Sequence, residues 1–158
     1  MSYLLITPNG DLTRHTGPID WDAAVGPEGH VRVRLNSAFN MAAYVNDCGF
    51  SVPDRYPRNI PGTCLLQSLG AAAQPYAGTI AVVGWDAEAG RRGYSEIAPL
   101  APHIADNVEA IHGDVLRVLA GDEPRELSAS WGEQMREIAE DARTAPAPGL
   151  TVRTVDPR

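Results

Sequence analysis

The sequence predicts an α+β fold, in which a mixed, mostly antiparallel sheet of four or five strands packs against short helices and a C-terminal helical hairpin. The first half holds short β-rich or alternating runs separated by turn residues, which is typical of antiparallel strands. The last third holds two long stretches with apolar residues at helical spacing. A chain of 158 residues matches one domain with a core of its own.

The N-terminal region predicts a β-hairpin. Residues 3–7 (YLLIT) are β-rich, and residues 8–11 (PNGD) form a strong turn signal because Asn and Gly tolerate positive φ. Residues 12–15 would return as the second strand. A short helix over residues 21–25 should follow, with Asp20 as its N-cap and Gly26 at its end.

Residues 30–35 (HVRVRL) alternate without a fault between polar and apolar side chains. A period of two predicts a half-buried strand. The apolar side chains would face the core and the polar ones the solvent. The solvent row would hold His30, Arg32 and Arg34.

The middle of the chain predicts two further strands and a helix. Residues 41–46 suit a strand or a helix, and we favour a strand because turn residues frame them at both ends. A loop over residues 50–59 precedes a short helix over residues 63–69. Asn59 is expected to cap that helix, a role worth about 1 kcal/mol. The apolar run 79–83, bounded by Gly78 and Gly84, predicts a central strand.

The C-terminal third predicts a helical hairpin over residues 103–143. On a helical wheel, the apolar residues of each half fall within one sector, about 100° wide in the first and about 80° in the second, and the turn sequence GDEP separates the two halves. Residues 1–143 would therefore form a single α+β domain. Residues 144–158 are a Pro-rich tail, in which the β-branched segment 150–155 could add an edge strand.

Taken in order, these pieces resemble a family of domains of unknown function, number 3846, found in phages and plasmids. The resemblance covers residues 3–97 and rests on five features: the hairpin 4–12, a glycine-bearing turn before strand 31–35, the segment 45–49 (VNDCG), the helix-opening Asn59, and the Gly-led strand 78–84. The Pro-rich segment around Pro53 and Pro57 and the acidic hairpin depart from the family pattern. The resemblance implies an α+β fold and an accessory role on mobile DNA, with no catalytic residues.

Composition narrows the classes of function. All 13 cationic residues are arginine, and the net charge of −7 divides into −1 for residues 1–60 and −6 for residues 61–158. A protein that coats duplex DNA needs a basic face, which the C-terminal part does not provide. Cys48 and Cys64 are expected as free thiols. No apolar run reaches membrane-spanning length, so we expect a cytoplasmic protein without a membrane partner.

The chain lacks the motifs that most enzymes carry. It has no zinc-ligand spacing, nucleophile elbow or phosphate loop, so no metal and no cofactor are predicted. His103, Asp106, Glu109 and His112 recur every three residues, but His103 and His112 would point in opposite directions, which argues against a metal site on one helix. We expect these residues on the solvated side of the helix. An enzyme is therefore the minority prediction, and it would be a ribonuclease-type hydrolase with His30 as the candidate catalytic residue.

One candidate surface would bind anions. His30, Arg32 and Arg34 would follow one another about 6.6 Å apart along a strand, a spacing at which donors can contact successive phosphates. Further cations could join them, and these are Arg14, Arg55 and Arg58. This surface leads to one hypothesis, an RNA-binding inhibitor of translation that could also cleave RNA weakly.

A second candidate surface would bind a protein. The outer face of the last helix should carry Glu133, Glu137 and Glu140, which would steer basic partners. Trp85, just past the central strand, is the tryptophan expected to reach the surface as a partner anchor. This surface leads to the preferred hypothesis, a small cytoplasmic accessory or regulatory protein that binds a macromolecular partner. The favoured kind of partner is another protein.

Overall fold

The computed structural model describes residues 1–123 and 125–148. Within them, six strands form one sheet in which every pairing is antiparallel. The order along the sheet is β2-β1-β5-β4-β3, and β6 pairs with the end of β5. The strands are β1 (Ser2–Ile6), β2 (Leu12–Thr16), β3 (His30–Val33), β4 (Met41–Asn46), β5 (Ile80–Trp85) and β6 (Ile97–Ala98).

The same residues contain five α-helices: α1 (Trp21–Ala24), α2 (Ile60–Ser68), α3 (Ala87–Arg91), α4 (Pro102–Leu119) and α5 (Ala129–Thr144). Helices α4 and α5 form the expected C-terminal pair, and both pack against α2. Asp20 caps α1 by accepting a hydrogen bond from the Ala23 amide. The α+β fold class is therefore confirmed.

The two faces of the sheet are covered unequally. One face carries the main core, where Leu4, Ile6, Ile80 and Val82 are buried beneath α2 and α4. The other face is apolar as well, but short segments cover it, chiefly α1 and the chain around Ile97. Because β4 and β5 have core on both sides, they are buried almost throughout and show no alternation of polar and apolar residues.

Asn59 does more than cap a helix. Its side chain is fully buried, and its Oδ1 accepts from the amide of Gly62 at 2.8 Å in the first turn of α2. Its Nδ2 donates to the carbonyl oxygens of Ile6 (3.0 Å) and Gly78 (2.9 Å). One amide side chain thus joins α2 to the ends of two strands.

Several details differ from the sequence predictions. The described residues form six strands rather than four or five, because β6 is a two-residue pairing with no pattern of its own. Helix α3 was not predicted, and β3 ends at Val33 rather than at Leu35. Helix α2 spans Ile60–Ser68 rather than residues 63–69, because it begins directly after its cap Asn59. The predicted edge strand over residues 150–155 lies outside the described residues.

Candidate functional sites on strand β3 and helix α5

Two side chains in the polar row of β3 lie against aromatic rings. The ring of His30 stacks on Trp21 with 4.1 Å between centroids and meets Tyr44 edge-on at 5.4 Å. The guanidinium of Arg32 lies 4.2 Å from the ring centre of Trp85. His30 and Arg34 are nevertheless exposed and Arg32 is half-buried, so the row faces the solvent as expected while two of its side chains also stack on aromatic rings.

Arg34 lies beyond the end of β3 and is exposed. It lines a surface groove of about 320 Å³ together with Arg32, Ser37, Asn40 and Trp85. Neither arginine lies within ion-pair distance of a carboxylate in the described part of the chain. Trp85 is half-buried, and the guanidinium of Arg32 lies against its ring.

Arg14 lies on β2 at the opposite edge of the sheet from β3. Its guanidinium donates to both carboxylate oxygens of Glu109, at 2.9 Å for Nη2 and Oε2, and also to Asp106. The hydrogen bonds from Arg14 hold the pKa of Glu109 below its ordinary value, and the charge of Asp106 partly opposes that effect. Four strand spacings of about 4.8 Å place the two edges about 19 Å apart.

Arg55 is neutralised by Glu28, which the sequence analysis did not single out. The carboxylate of Glu28 accepts from the Tyr56 hydroxyl, from Asn46 Nδ2 at 2.9 Å and from Arg55 at 2.6 Å. The Tyr56 hydroxyl is the main reason that the pKa of Glu28 falls to about 2. Gly26 has a φ of +115°, and a β-carbon there would collide with that hydroxyl.

Arg58 joins two parts of the fold. Its guanidinium donates to the carbonyl oxygen of Ala142 at 2.9 Å, near the end of α5, and lies over the ring of Phe50. The hydrogen bond to Ala142 uses one of the N–H groups that Arg58 could donate to an anion. Of the six candidate anion-binding residues, the structure therefore brings together His30, Arg32 and Arg34, and it leaves Arg14, Arg55 and Arg58 apart from them.

The acidic residues of α5 lie where the helical stripe predicted. Glu133, Glu137 and Glu140 are exposed, while Met135 and Ala139 on the opposite side are buried against the core. Glu140 lies 3.6 Å from Arg143. In the described residues, no arginine lies within ion-pair distance of Glu133 or Glu137.

His112 corrects another expectation, because only 5% of it is exposed. It follows Val108 by four residues and precedes Val115 by three, which puts it on the buried stripe of α4. Its Nε2 has no hydrogen-bond partner among the described residues. Burial lowers the pKa of His112, and the charge of Asp11 partly opposes that effect. Spacing from Val108 was the signal that could have found it.

Both cysteines are free thiols, as predicted. Cys64 is fully buried on α2, and its Sγ lies 3.5 Å from the carbonyl oxygen of Met135 on α5. Burial raises the pKa of Cys64 to about 11. Cys48 is partly exposed. The buried thiol is therefore a packing residue between two helices, not a nucleophile.

Residues 1–123 and 125–148 contain no group of three or more His, Cys, Asp and Glu side chains placed to hold a metal ion. They also contain no helix with the length and apolarity required to cross a bilayer. Comparisons with family models, with curated proteins and with solved structures found no match. The resemblance to family 3846 therefore stays a prediction.

Proposed function

We propose that this protein is an accessory binding protein whose partner is a basic protein, and that the outer face of α5 is the docking surface. The observation that carries the proposal is the exposure of Glu133 and Glu137, which lack an ion-pair partner among the described residues. Met135 and Ala139 anchor the opposite side of the same helix. The carboxylates thus stand on a rigid support, which limits the entropy lost on binding.

The distribution of charge supports a basic partner. Arg14 and Arg55 are paired with carboxylates within the fold, and the chain carries a net charge of −7. A surface of one sign attracts the opposite sign over roughly one Debye length, about 8 Å at physiological salt. Such a field raises the rate of association more than it raises the affinity.

The test is capture of a partner from the host lysate by the immobilised full chain, followed by charge reversal on α5. Replacing Glu133, Glu137 and Glu140 with Lys should release the captured protein, since each change turns an attraction into a repulsion. A matched control reverses the exposed residues Asp22, Asp47 and Asp54, which changes net charge equally at other places. Equal loss in both triple variants, or no loss in the α5 variant, would contradict the proposal.

RNA binding is the alternative, supported by the lack of a carboxylate within ion-pair distance of Arg32 or Arg34 in the described residues. Labelled single-stranded RNA should then bind less tightly as salt rises and when both arginines become Ala. A double variant that binds as well as the parent would remove this alternative. Loss of RNA cleavage in His30→Ala, with binding intact, would support the ribonuclease form.

A further inference from the structure

Among residues 1–123 and 125–148, β3 is the last strand at one edge of the sheet, so half of its backbone groups have no strand partner there. The amide of Asp47 donates to the carbonyl oxygen of Gly29 at 3.0 Å, next to the register pair His30↔Asn46. Hydrogen-bonded and non-hydrogen-bonded pairs alternate in an antiparallel ladder. Val31 and Val33 therefore bond to β4, whereas the N–H and C=O groups of His30 and Arg32 point away from the sheet.

The two sides of this free edge differ in chemistry. The side chains of His30, Arg32 and Arg34 lie on one side, on the aromatic face of the sheet. On the other side Val31, which is 44% exposed, opens onto a groove of about 820 Å³. Val33, Val45, Phe50 and Tyr76 give this groove apolar walls near the strand. Its lining also includes Arg32, Arg34, Asp47 and Pro148.

The edge is also held in place before anything binds. Stacking of His30 on Trp21 and of Arg32 on Trp85 restricts the side chains whose backbone groups point outward. A cation–aromatic contact of this kind contributes about 0.5–1 kcal/mol at an exposed site. Because these residues are already ordered, an added strand would lose less conformational entropy on docking.

We propose that β3 binds an extended peptide segment of a partner protein by antiparallel strand addition, and that this segment alternates carboxylate and apolar side chains. Its carboxylates would meet Arg32 and Arg34, and its apolar side chains would enter the groove beside Val31 and Val33. Main-chain hydrogen bonds to His30 and Arg32 would supply affinity, and the two sides would supply specificity. The proposal is independent of the α5 surface, because α5 would attract a basic partner.

Charge selects this occupant over a second copy of the chain. Pairing β3 with β3 of another copy would place the arginines of the two strands beside each other, and like charges at opposed positions destabilise a sheet. An acidic strand instead provides the carboxylates that Arg32 and Arg34 lack in the described part of the chain. Arginine can bind a carboxylate through two parallel hydrogen bonds.

The test uses the full chain and a short, fluorescently labelled peptide in which glutamate and valine alternate, with binding followed by fluorescence anisotropy. In antiparallel addition, the peptide residues opposite His30 and Arg32 share their sheet face and exchange both backbone hydrogen bonds with them. These should be the glutamates. N-methylation of the glutamates should therefore weaken binding about tenfold or more, whereas N-methylation of the valines should leave it unchanged.

Protein variants test the charge side separately. Arg32→Ala with Arg34→Ala should weaken binding of the unmodified peptide about tenfold, and Arg117→Ala, which removes an exposed arginine from α4, should have no effect. On the intact protein, bound peptide should slow hydrogen exchange at the amides of His30 and Arg32.

Equal binding of the two N-methylated peptides would overturn strand addition, and a reversed order would overturn antiparallel pairing. Equal binding of a peptide that alternates lysine and valine would overturn the charge complementarity. Dimerisation of the free chain that requires β3 would assign the edge to a second copy. Displacement of the peptide by oligouridine, together with peptide binding that N-methylation does not affect, would assign it to RNA.

Discussion

Asn59 shows how far one buried amide can exceed the role that its sequence position suggests. A helix cap is worth about 1 kcal/mol, but removal of this side chain would also leave the buried carbonyl groups of Ile6 and Gly78 without their donor. We expect Asn59→Ala to lower the free energy of unfolding by about 3 kcal/mol, measured by urea denaturation. Asn107→Ala, on the exposed side of α4, is the control. A loss of only about 1 kcal/mol would mean that the cap alone matters.

His112 should make stability depend on pH in a predictable direction. Burial lowers its pKa in the folded protein, so the unfolded chain takes up the proton first as pH falls below about 6.5. The stabilisation is therefore complete above that pH and is lost as pH drops toward the folded pKa. His112→Leu should reduce the loss of stability between pH 7 and 5, read from urea titrations at each pH.

The same substitution should raise stability at neutral pH by about 1 kcal/mol, because it removes a buried nitrogen without a partner in the described residues. His103→Leu makes the same change at an exposed position of α4 and is the control. A pH profile that His112→Leu leaves unaltered would show that other groups account for the slope.

At the scale of elements, the reactivity of the Cys64 thiol reports how firmly α5 packs on α2. Cys64 is buried against Met135, with a pKa raised to about 11, so it should react with a thiol reagent only when α5 moves away from α2. In a Cys48→Ser background, labelling at pH 8 should be slow, and Met135→Ala should accelerate it because truncation weakens the helix contact.

The control for this labelling is the reverse background, Cys64→Ser, in which the partly exposed Cys48 should react quickly with or without Met135→Ala. Fast labelling of Cys64 in the intact protein would contradict the packing of α5 on α2.

At the scale of the whole molecule, the order of the sheet predicts the order of local stability. Strand β5 is paired along both sides and buried on both faces, whereas β3 and β2 are edges. Amides of β5 should exchange most slowly by NMR. Within β3 the amides of Val31 and Val33 should be protected and those of His30 and Arg32 should exchange fast. Protection at all four amides would show that something else already covers this edge.

The charge arrangement also belongs to this scale. Arg14 is drawn to Glu109 of α4, and Arg55 to Glu28, by contacts between segments far apart in the chain. In the described residues, the charges left without an ion pair include Glu133 and Glu137 on α5 and Arg32 and Arg34 beside β3. Two surfaces of opposite sign suit partners of opposite charge.

Much of the architecture follows from the sequence alone, because it depends on short-range signals. Turn residues and β-rich runs located the first hairpin, and helical spacing located α4 and α5. The apolar run 79–83 located the central strand, although Gly84 lies inside that strand rather than at its end. Asp20 and Asn59 marked helix starts, since a cap bonds to the backbone only two or three residues ahead. The alternation over residues 30–35 correctly separated the two sides of β3.

What lies on each side was decided only by the tertiary structure. No local pattern in the sequence indicates that Trp21 contacts His30 or that Trp85 contacts Arg32. The two residues of each pair belong to different elements, and only the folded chain brings them together. The same holds for Glu28, which is held by donors from Asn46, Arg55 and Tyr56. The alternation of a half-buried strand predicts which side of the sheet a charged side chain occupies. Long-range packing determines whether that charge is free, stacked on a ring or paired with an opposite charge.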